Sequence, residues 1–224
     1  MGAGPRAAPE DARVKKLILF VWLLIPIAVG AYHYGPGQDR LRADRAAEAV
    51  ALAEAAVREA REVAARSGDD AARGSWAEAD EAYGRAIELL PPGRERETRE
   101  LRLERAKAQT FVGKLLDARR DLAGLVEEAA ADPEPDAGFL DRARSALANA
   151  EYYTTWLLRL EGAPREEWEP EIEASRQNYR LLAEKAGKSG DPKLAAAARE
   201  DLESAVRLAR MDLADLQGLP LPSQ

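Results

Sequence analysis

The chain has 224 residues, of which 46% are hydrophobic and 33% are charged, so a folded core can lie beneath a heavily charged surface. Its formal net charge of −7 argues against general nucleic-acid binding, which depends on neutralising phosphates. The absence of cysteine excludes disulfides, thiol catalysis and zinc ribbons. Ala, Arg, Glu and Leu dominate, and this composition predicts an all-α fold.

An uncharged apolar segment lies near the N-terminus. Residues 1–16 are rich in Gly, Ala and Pro, and we expect them to form a disordered cytoplasmic N-terminus. Residues 17–34 carry no charge and as a helix would extend about 27 Å, which just spans a hydrocarbon core of about 30 Å. This favours a transmembrane signal anchor. A cleaved signal peptide and a buried soluble helix are the alternatives.

Basic residues near the two ends of this segment set its expected orientation. Lys15 and Lys16 directly precede the apolar stretch, whereas Arg40, Arg42 and Arg45 beyond it are mixed with acidic residues. We therefore predict a single-pass protein of the inner membrane with its N-terminus inside. The C-terminal domain would be extracytoplasmic, which means periplasmic in a Gram-negative bacterium.

The rest of the chain predicts a helical domain. A linker at 35–40 precedes a domain over 41–217, and a tail follows at 218–224. Glycine and proline breaks divide the domain into about seven helices. Their expected ranges are about 41–66, 74–91, 95–112, 114–130, 137–161, 167–186 and 191–217. Short loops between helices with small residues on their faces predict a right-handed stack of antiparallel helices.

Three of these helices carry apolar faces at three- and four-residue spacing, which predicts their buried sides. The first has a narrow seam of small residues, Ala46, Ala49, Ala53, Ala56, Ala60 and Val63. The fifth has Phe139, Ala143, Ala146, Ala150, Tyr153, Leu157 and Leu160. The seventh has Leu194, Ala198, Leu202, Ala205, Ala209, Leu213 and Leu216.

The stretch 74–91 carries the clearest motif. Ala79, Tyr83 and Ala86 lie on one helical face, where small residues beside a ring let another helix approach, and Pro91 stops the helix. A second copy lies 39 residues later. The residues Gly113, Ala118, Leu122 and Leu125 follow Gly74, Ala79, Tyr83 and Ala86.

This pattern resembles the second helix of a tetratricopeptide repeat (TPR), over about residues 44–130. The interval of 39 residues exceeds the roughly 34 of the standard repeat, and the first-helix signature of Trp, Leu, Gly and Tyr is missing. The resemblance implies a concave face that holds a protein segment and performs no chemistry. A membrane helix followed by such a domain is similar to translocon-associated periplasmic proteins of this family and to repeat proteins of bacterial membrane complexes.

Aromatic and arginine residues gather where the fifth and sixth predicted helices meet. Trp, Tyr and Arg dominate binding hot spots, so this cluster is the candidate partner-binding surface. The predicted surface consists of Tyr152, Trp156, Arg159, Trp168 and Arg176. The alternative is that these rings fill the core between the two helices.

The sequence predicts no catalytic residue, metal site, cofactor or small-molecule substrate. His33 is the only histidine and lies at the edge of the apolar segment, so the helical domain cannot hold a Ser-His-Asp triad. We expect a membrane-anchored, TPR-like scaffold, not an enzyme, that binds protein partners or helps assemble a membrane complex. The alternative is a structural or self-associating subunit of a large membrane assembly, which the alanine seam motivates.

Overall fold

The computed structural model describes residues 9–34 and 36–217, and all regular structure within these ranges is α-helical. The prediction of an all-α fold is confirmed. The predicted tail at 218–224 and the first eight residues lie outside the described ranges. The helices are α1 (Pro9–Tyr34), α2 (Pro36–Ser67), α3 (Asp69–Leu89), α4 (Glu95–Thr110), α5 (Leu115–Ala130), α6 (Ala137–Leu160), α7 (Arg165–Lys188), α8 (Pro192–Arg210) and α9 (Leu213–Gln217).

The N-terminal boundaries differ from the prediction. Residues 9–16, expected to be disordered, belong to α1, and residues 36–40, expected to form a linker, belong to α2. Gly37 permits this close succession of helices, because a Cβ at that position would lie 2.8 Å from the carbonyl oxygen of Tyr32. Arg40 then donates to the Tyr32 hydroxyl at 2.7 Å, which ties the start of α2 to the end of α1.

The helix of the repeat motif, expected over about 74–91, begins earlier than predicted. Gly74 lies inside α3, which begins at Asp69. The turn between α2 and α3 is made instead by Gly68, whose φ of +87° is in the left-handed region that favours glycine. Gly68 lies within the break expected between 66 and 74, but α3 begins five residues earlier than expected, which is more than one turn.

The last predicted helix is divided into α8 and α9. Met211 has an extended backbone with ψ of 142°, so the helix ends at Arg210. The guanidinium of Arg159 donates to the carbonyl oxygens of Leu208 and Met211 and so provides hydrogen bonds at the end of the helix. Leu194, predicted to be buried, is exposed, because the part of α8 that packs on α7 and α9 lies further along the chain.

Helices pack mainly against their neighbours in the chain, and three apolar clusters join them. The first cluster lies among α2, α3 and α4, the second among α4, α5 and α6, and the third among α6, α7, α8 and α9. Since α4 and α6 each contribute to two clusters, the core continues from one group of helices to the next. Such nearest-neighbour packing is the arrangement that stacked helical repeats use.

The burial predicted for the repeat motif is confirmed. Ala79, Tyr83 and Ala86 are buried on α3, and the matching Leu122 and Leu125 are buried on α5. The alanine seam of α2 is likewise buried from residue 46 to residue 60. The small-large-small pattern therefore marks faces where helices meet.

The buried face predicted for α6 is correct only in the first half of the helix. Phe139, Ala143 and Ala150 are buried in the second cluster, but Leu157 is 41% exposed. The buried face shifts because the end of α6 packs on α7 and α8, where Trp156 enters the third cluster instead. One helix serves two clusters on different sides, which a single periodic seam cannot represent.

The predicted transmembrane segment, residues 17–34, lies within α1. Its large apolar side chains are exposed wherever they are described, from Leu17 to Val29. In the part of the chain that the structure describes, however, no helix combines the length and the apolar character needed to cross a membrane. The helix that contains the segment also includes Lys15 at its front and His33 in its last turn.

Replacing Tyr83 with alanine should lower the free energy of unfolding by about 3 kcal/mol, because a buried ring leaves a cavity in the first cluster. Urea unfolding of the chain measures this change. Leu116→Ala is the control, since Leu116 is exposed on α5 and its replacement should cost less than about 0.5 kcal/mol. A melting temperature of the Tyr83 variant within a degree of wild type would show that the ring does not support the fold.

Candidate functional site

A groove of about 770 Å³ crosses α2, α4 and α6. These alternate helices supply most of its walls, with Val57 and Arg61 on α2, Lys107 on α4, and Ser145 and Ala146 on α6. Helix α3 contributes to the floor through a tryptophan. The groove is large enough for several side chains of a bound segment, since ligand sites typically measure about 300–1,000 Å³.

Two stacked rings form the apolar floor of the groove. Trp76 on α3 and Phe111, just after α4, lie with ring centroids 4.2 Å apart and ring planes within 7° of parallel. Trp76 is buried, and its Nε1 has no hydrogen-bond partner among the described residues. The stack holds α3 against the end of α4, and the half-buried ring of Phe111 gives a bound segment an apolar surface that the buried Trp76 supports.

The rim of the groove is charged. Lys107 pairs with Glu104 at 2.6 Å, and Arg142 pairs with Glu100 at 2.5 Å. Arg61, from α2, forms no salt bridge within the described ranges. A polar rim around an apolar floor is the usual arrangement of a binding interface.

A buried carboxylate fixes the helices beside this floor. Asp80 on α3 is 1% exposed and accepts from Lys114 Nζ at 2.6 Å, Arg105 Nε at 2.8 Å and Gln109 Nε2 at 2.9 Å. Burial by itself would raise the pKa of Asp80, but these three donors outweigh it and lower the pKa below its ordinary value. The carboxylate thereby joins α3, α4 and the start of α5.

Gly84 makes room for one of these donors. A Cβ on Gly84 would lie 3.2 Å from the Cζ atom of Arg105, which is closer than ordinary contact. Without a side chain at this position, Arg105 lies against α3 and reaches Asp80. A glycine inside a helix costs about 0.5–1 kcal/mol relative to alanine, and the ion pair explains its presence here.

The Asp80→Ala variant should lose about 2–4 kcal/mol of stability, because three buried or half-buried donors lose their acceptor. The stabilisation from Asp80 should be present above the unfolded-state pKa of about 4 and should be lost as the pH falls through the lower folded-state pKa. Chemical denaturation at pH 7 measures how much stability the Asp80→Ala variant has lost. Asp70→Ala is the control, since the Asp70 side chain is 90% exposed, and an equal loss in both variants would contradict the role of Asp80.

A second buried carboxyl lies between α6 and α7. Glu151 accepts from Asn178 Nδ2 at 3.0 Å, next to the pair formed by Arg119 of α5 and Glu171 of α7. Burial raises the pKa of Glu151 to about 7, against smaller lowering effects from Asn178 and Arg119. This group does not line the groove, so we assign it a structural role where the second and third clusters meet.

Glu151 should make stability depend on pH near neutrality. Its pKa is raised on folding, so the folded state binds the proton more tightly. The resulting stabilisation is complete below the unfolded-state pKa of about 4.5 and disappears as the pH rises through about 7. Glu151→Gln should therefore be more stable than wild type at pH 8, by roughly 1–3 kcal/mol, and similar to it at pH 5. Unfolding measured at both pH values checks this, and equal wild-type stability at pH 5 and 8 would refute it.

The structure separates the residues of the predicted partner surface. Trp156 is 7% exposed in the third cluster, as the core-filling alternative expects, and so offers a partner little surface. Tyr152 is half-buried and packs edge-on against Tyr153, with ring centroids 5.7 Å apart. Arg159 lies 4.8 Å from the ring of Trp168, so the structure does bring these two together.

Arg176, the fifth residue of that surface, pairs with Glu173 on its own helix. Together with Trp168 it lines a small cavity between α7 and α8, apart from the groove. That these residues contact a partner stays a prediction.

The sequence reasoning missed the groove. Its floor residue Trp76 was visible in the repeat motif, where it precedes Ala79 by three and Tyr83 by seven and so shares their face. Phe111 gave no such signal, because it lies in a turn and meets Trp76 only through the packing of α3 on α4.

Comparison with known proteins does not assign the chain to a family. No protein-family model matches the chain, and no match is found among curated proteins. Within residues 9–34 and 36–217, no group of three or more His, Asp or Glu side chains is placed to hold a metal ion.

Proposed function

We propose that this chain is a non-catalytic helical scaffold that binds a segment of a protein partner in the groove across α2, α4 and α6. The observation that carries the proposal is the groove itself, with its floor of stacked rings and its charged rim. An apolar side chain of the segment would rest on Phe111, which stacks on Trp76, and its polar neighbours would meet the rim.

The proposal includes a TPR-like right-handed stack. Three features support it: the 39-residue recurrence of the small-large-small motif, the packing of each helix on its chain neighbours, and a groove walled by alternate helices. In stacked helical repeats, alternate helices face the same side, so each repeat adds to one continuous surface. A surface of this kind suits a long partner segment better than a small ligand.

We also propose that α1 attaches the protein to a membrane. Its exposed side chains from Leu17 to Val29 are apolar on all sides of the helix, and a helix of that kind needs an apolar environment around it. The partners would then be subunits of a membrane complex. The inner-membrane location, with the N-terminus inside and the helical body extracytoplasmic, is part of this proposal and rests on the basic residues before the apolar segment.

One argument for the alternative function, a self-associating subunit, does not hold. The seam residues Ala53, Ala56 and Ala60 are buried in the first cluster against α3 of the same chain. A second copy therefore cannot use this seam unless α2 and α3 separate. A structural subunit that contacts its assembly through another surface is the remaining form of the alternative.

Site-specific crosslinking tests the groove. A photoreactive amino acid at Ser145, which is exposed in the groove, should give one discrete adduct in cells, and the same group at Arg85, exposed on α3, should not. Ala146→Arg, which fills the groove beside Ser145, should remove the adduct without unfolding the protein. An adduct of twice the chain mass would favour the self-associating alternative. Equal adducts from both positions, or none from Ser145, would contradict the proposal.

Vesicle flotation tests the membrane attachment. The full chain should float with phosphatidylglycerol-containing vesicles, and Leu23→Glu in α1 should reduce the bound fraction about 10-fold or more, because a charge is costly in hydrocarbon. Leu52→Glu is the matched control, since Leu52 is equally exposed at 61% but lies on α2. Equal losses in both variants, or no flotation of the wild type, would contradict attachment through α1.

A further inference from the structure

Helix α4 joins the first half of the fold to the second. Helix α3 packs on α2 and α4, and α5 packs on α4 and α6, so the main contacts between the α2–α3 pair and the α5–α6 pair run through α4. The groove spans this junction, because its walls come from α2, α4 and α6. A change in the tilt of α4 against its neighbours would therefore change the width of the groove.

Few apolar side chains hold α4 in place. Its buried apolar residues are Leu103, Ala106 and Ala108, and two of these three are alanines. Apolar burial stabilises in proportion to the area removed from water, and an alanine has little area to bury. Polar contacts therefore have a large share in fixing the position of this helix.

Three arginines of α4 supply such contacts. Arg99, Arg102 and Arg105 are spaced three residues apart, so they follow one side of the helix. Glu104 and Lys107, which line the groove, lie on the other side. The arginines thus act from behind the groove, where α4 meets α3 and α5.

Arg102 binds two carboxylates of α5. Its Nη2 donates to Asp121 at 2.5 Å, and its Nη1 donates to Glu128 at 2.9 Å. Only 26% of the Arg102 side chain is exposed, so both bonds are partly shielded from solvent. Burial by itself would lower the pKa of Arg102, but the two carboxylates outweigh it and raise the pKa. Arg102 is thus held to α5 at two positions seven residues apart.

The neighbouring arginines extend this row of ion pairs. Arg105 donates to the buried Asp80 of α3 at 2.8 Å, and Arg99 donates to Asp132, just after α5, at 2.9 Å. The row therefore ties α4 to the helices on both sides of the junction. Isolated exposed ion pairs contribute little, whereas several partly buried pairs acting together can fix a geometry.

We propose that α4 is a hinge and that this row of arginine pairs sets the width of the groove. When the pairs weaken, the α2–α3 pair and the α5–α6 pair move relative to each other, as packed units on either side of a hinge do. Salt screens partly exposed ion pairs, so the groove holds one width at low ionic strength and samples several at high ionic strength. The consequence for partner binding rests on the proposed function, whereas the hinge is measured in the free chain.

A distance measurement between two spin labels by electron paramagnetic resonance tests the hinge. The full chain has no cysteine, so introduced cysteines are labelled specifically. Arg61→Cys on α2 and Ser145→Cys on α6 place one exposed label on each side of the groove. Raising sodium chloride to about 1 M should broaden the distance distribution about 1.5-fold or more, because the Debye length then falls to about 3 Å. Arg102→Gln should broaden it already at low salt and leave less for salt to change.

Arg120→Gln is the matched control, because Arg120 is 78% exposed on α5 and pairs with Asp117 of the same helix. It should leave the distribution unchanged. A second label pair, Arg61→Cys with Glu81→Cys, joins exposed positions of α2 and α3. This distance should stay constant under every condition, because these two helices move together.

The proposal is overturned if neither salt nor Arg102→Gln broadens the distance across the groove, or if Arg120→Gln broadens it as much. It is also overturned if the distance between α2 and α3 broadens equally, since the change would then be general loosening of the fold. Broadening across the groove, together with a missing crosslink at Ser145, would support the hinge while contradicting the proposed binding of a partner segment.

Discussion

This structure depends on close approach between neighbouring helices, and buried alanine residues make that approach possible. Ala53, Ala56 and Ala60 of α2 meet a face of α3 that alternates alanine with two large rings, Trp76 and Tyr83. Small residues let the helix axes come close, and the rings fill the remaining gaps. The same solution recurs where Ala118 lies beside Leu122 on α5. Because each cluster shares a helix with the next, the packing of one pair sets the position of the following pair.

The groove is a consequence of that packing. Trp76 reaches the groove floor because the short alanines around it allow α3 to lie close to α2, and Phe111 meets it because Asp80 holds α4 and the start of α5 against α3. The buried carboxylate is therefore a positioning residue for the proposed binding surface, although it lies outside the groove. Gly84 serves the same end by leaving space for Arg105.

Much of the fold followed from spacing in the sequence, since buried faces repeat every three or four residues. Ala79, Tyr83 and Ala86 were predicted to be buried together and are. Local pattern failed where tertiary contacts decide: α3 begins five residues before Gly74, and α6 changes its buried face when it passes from one cluster to the next. The groove depends on contacts between distant segments, so no single stretch of sequence could predict it. Trp156 illustrates the limit, because the same aromatic spacing fits a surface anchor and a core residue.

The most direct test of this account replaces single alanines of α2 with leucine and measures the free energy of unfolding. Ala53 is fully buried against α3, whereas Ala51, two residues earlier on the same helix, is exposed. The account predicts that Ala53→Leu loses about 1–3 kcal/mol through overpacking and that Ala51→Leu changes stability by less than about 0.5 kcal/mol. Equal stability of the two variants would show that α2 and α3 are not held at the close distance on which the groove and the stack depend.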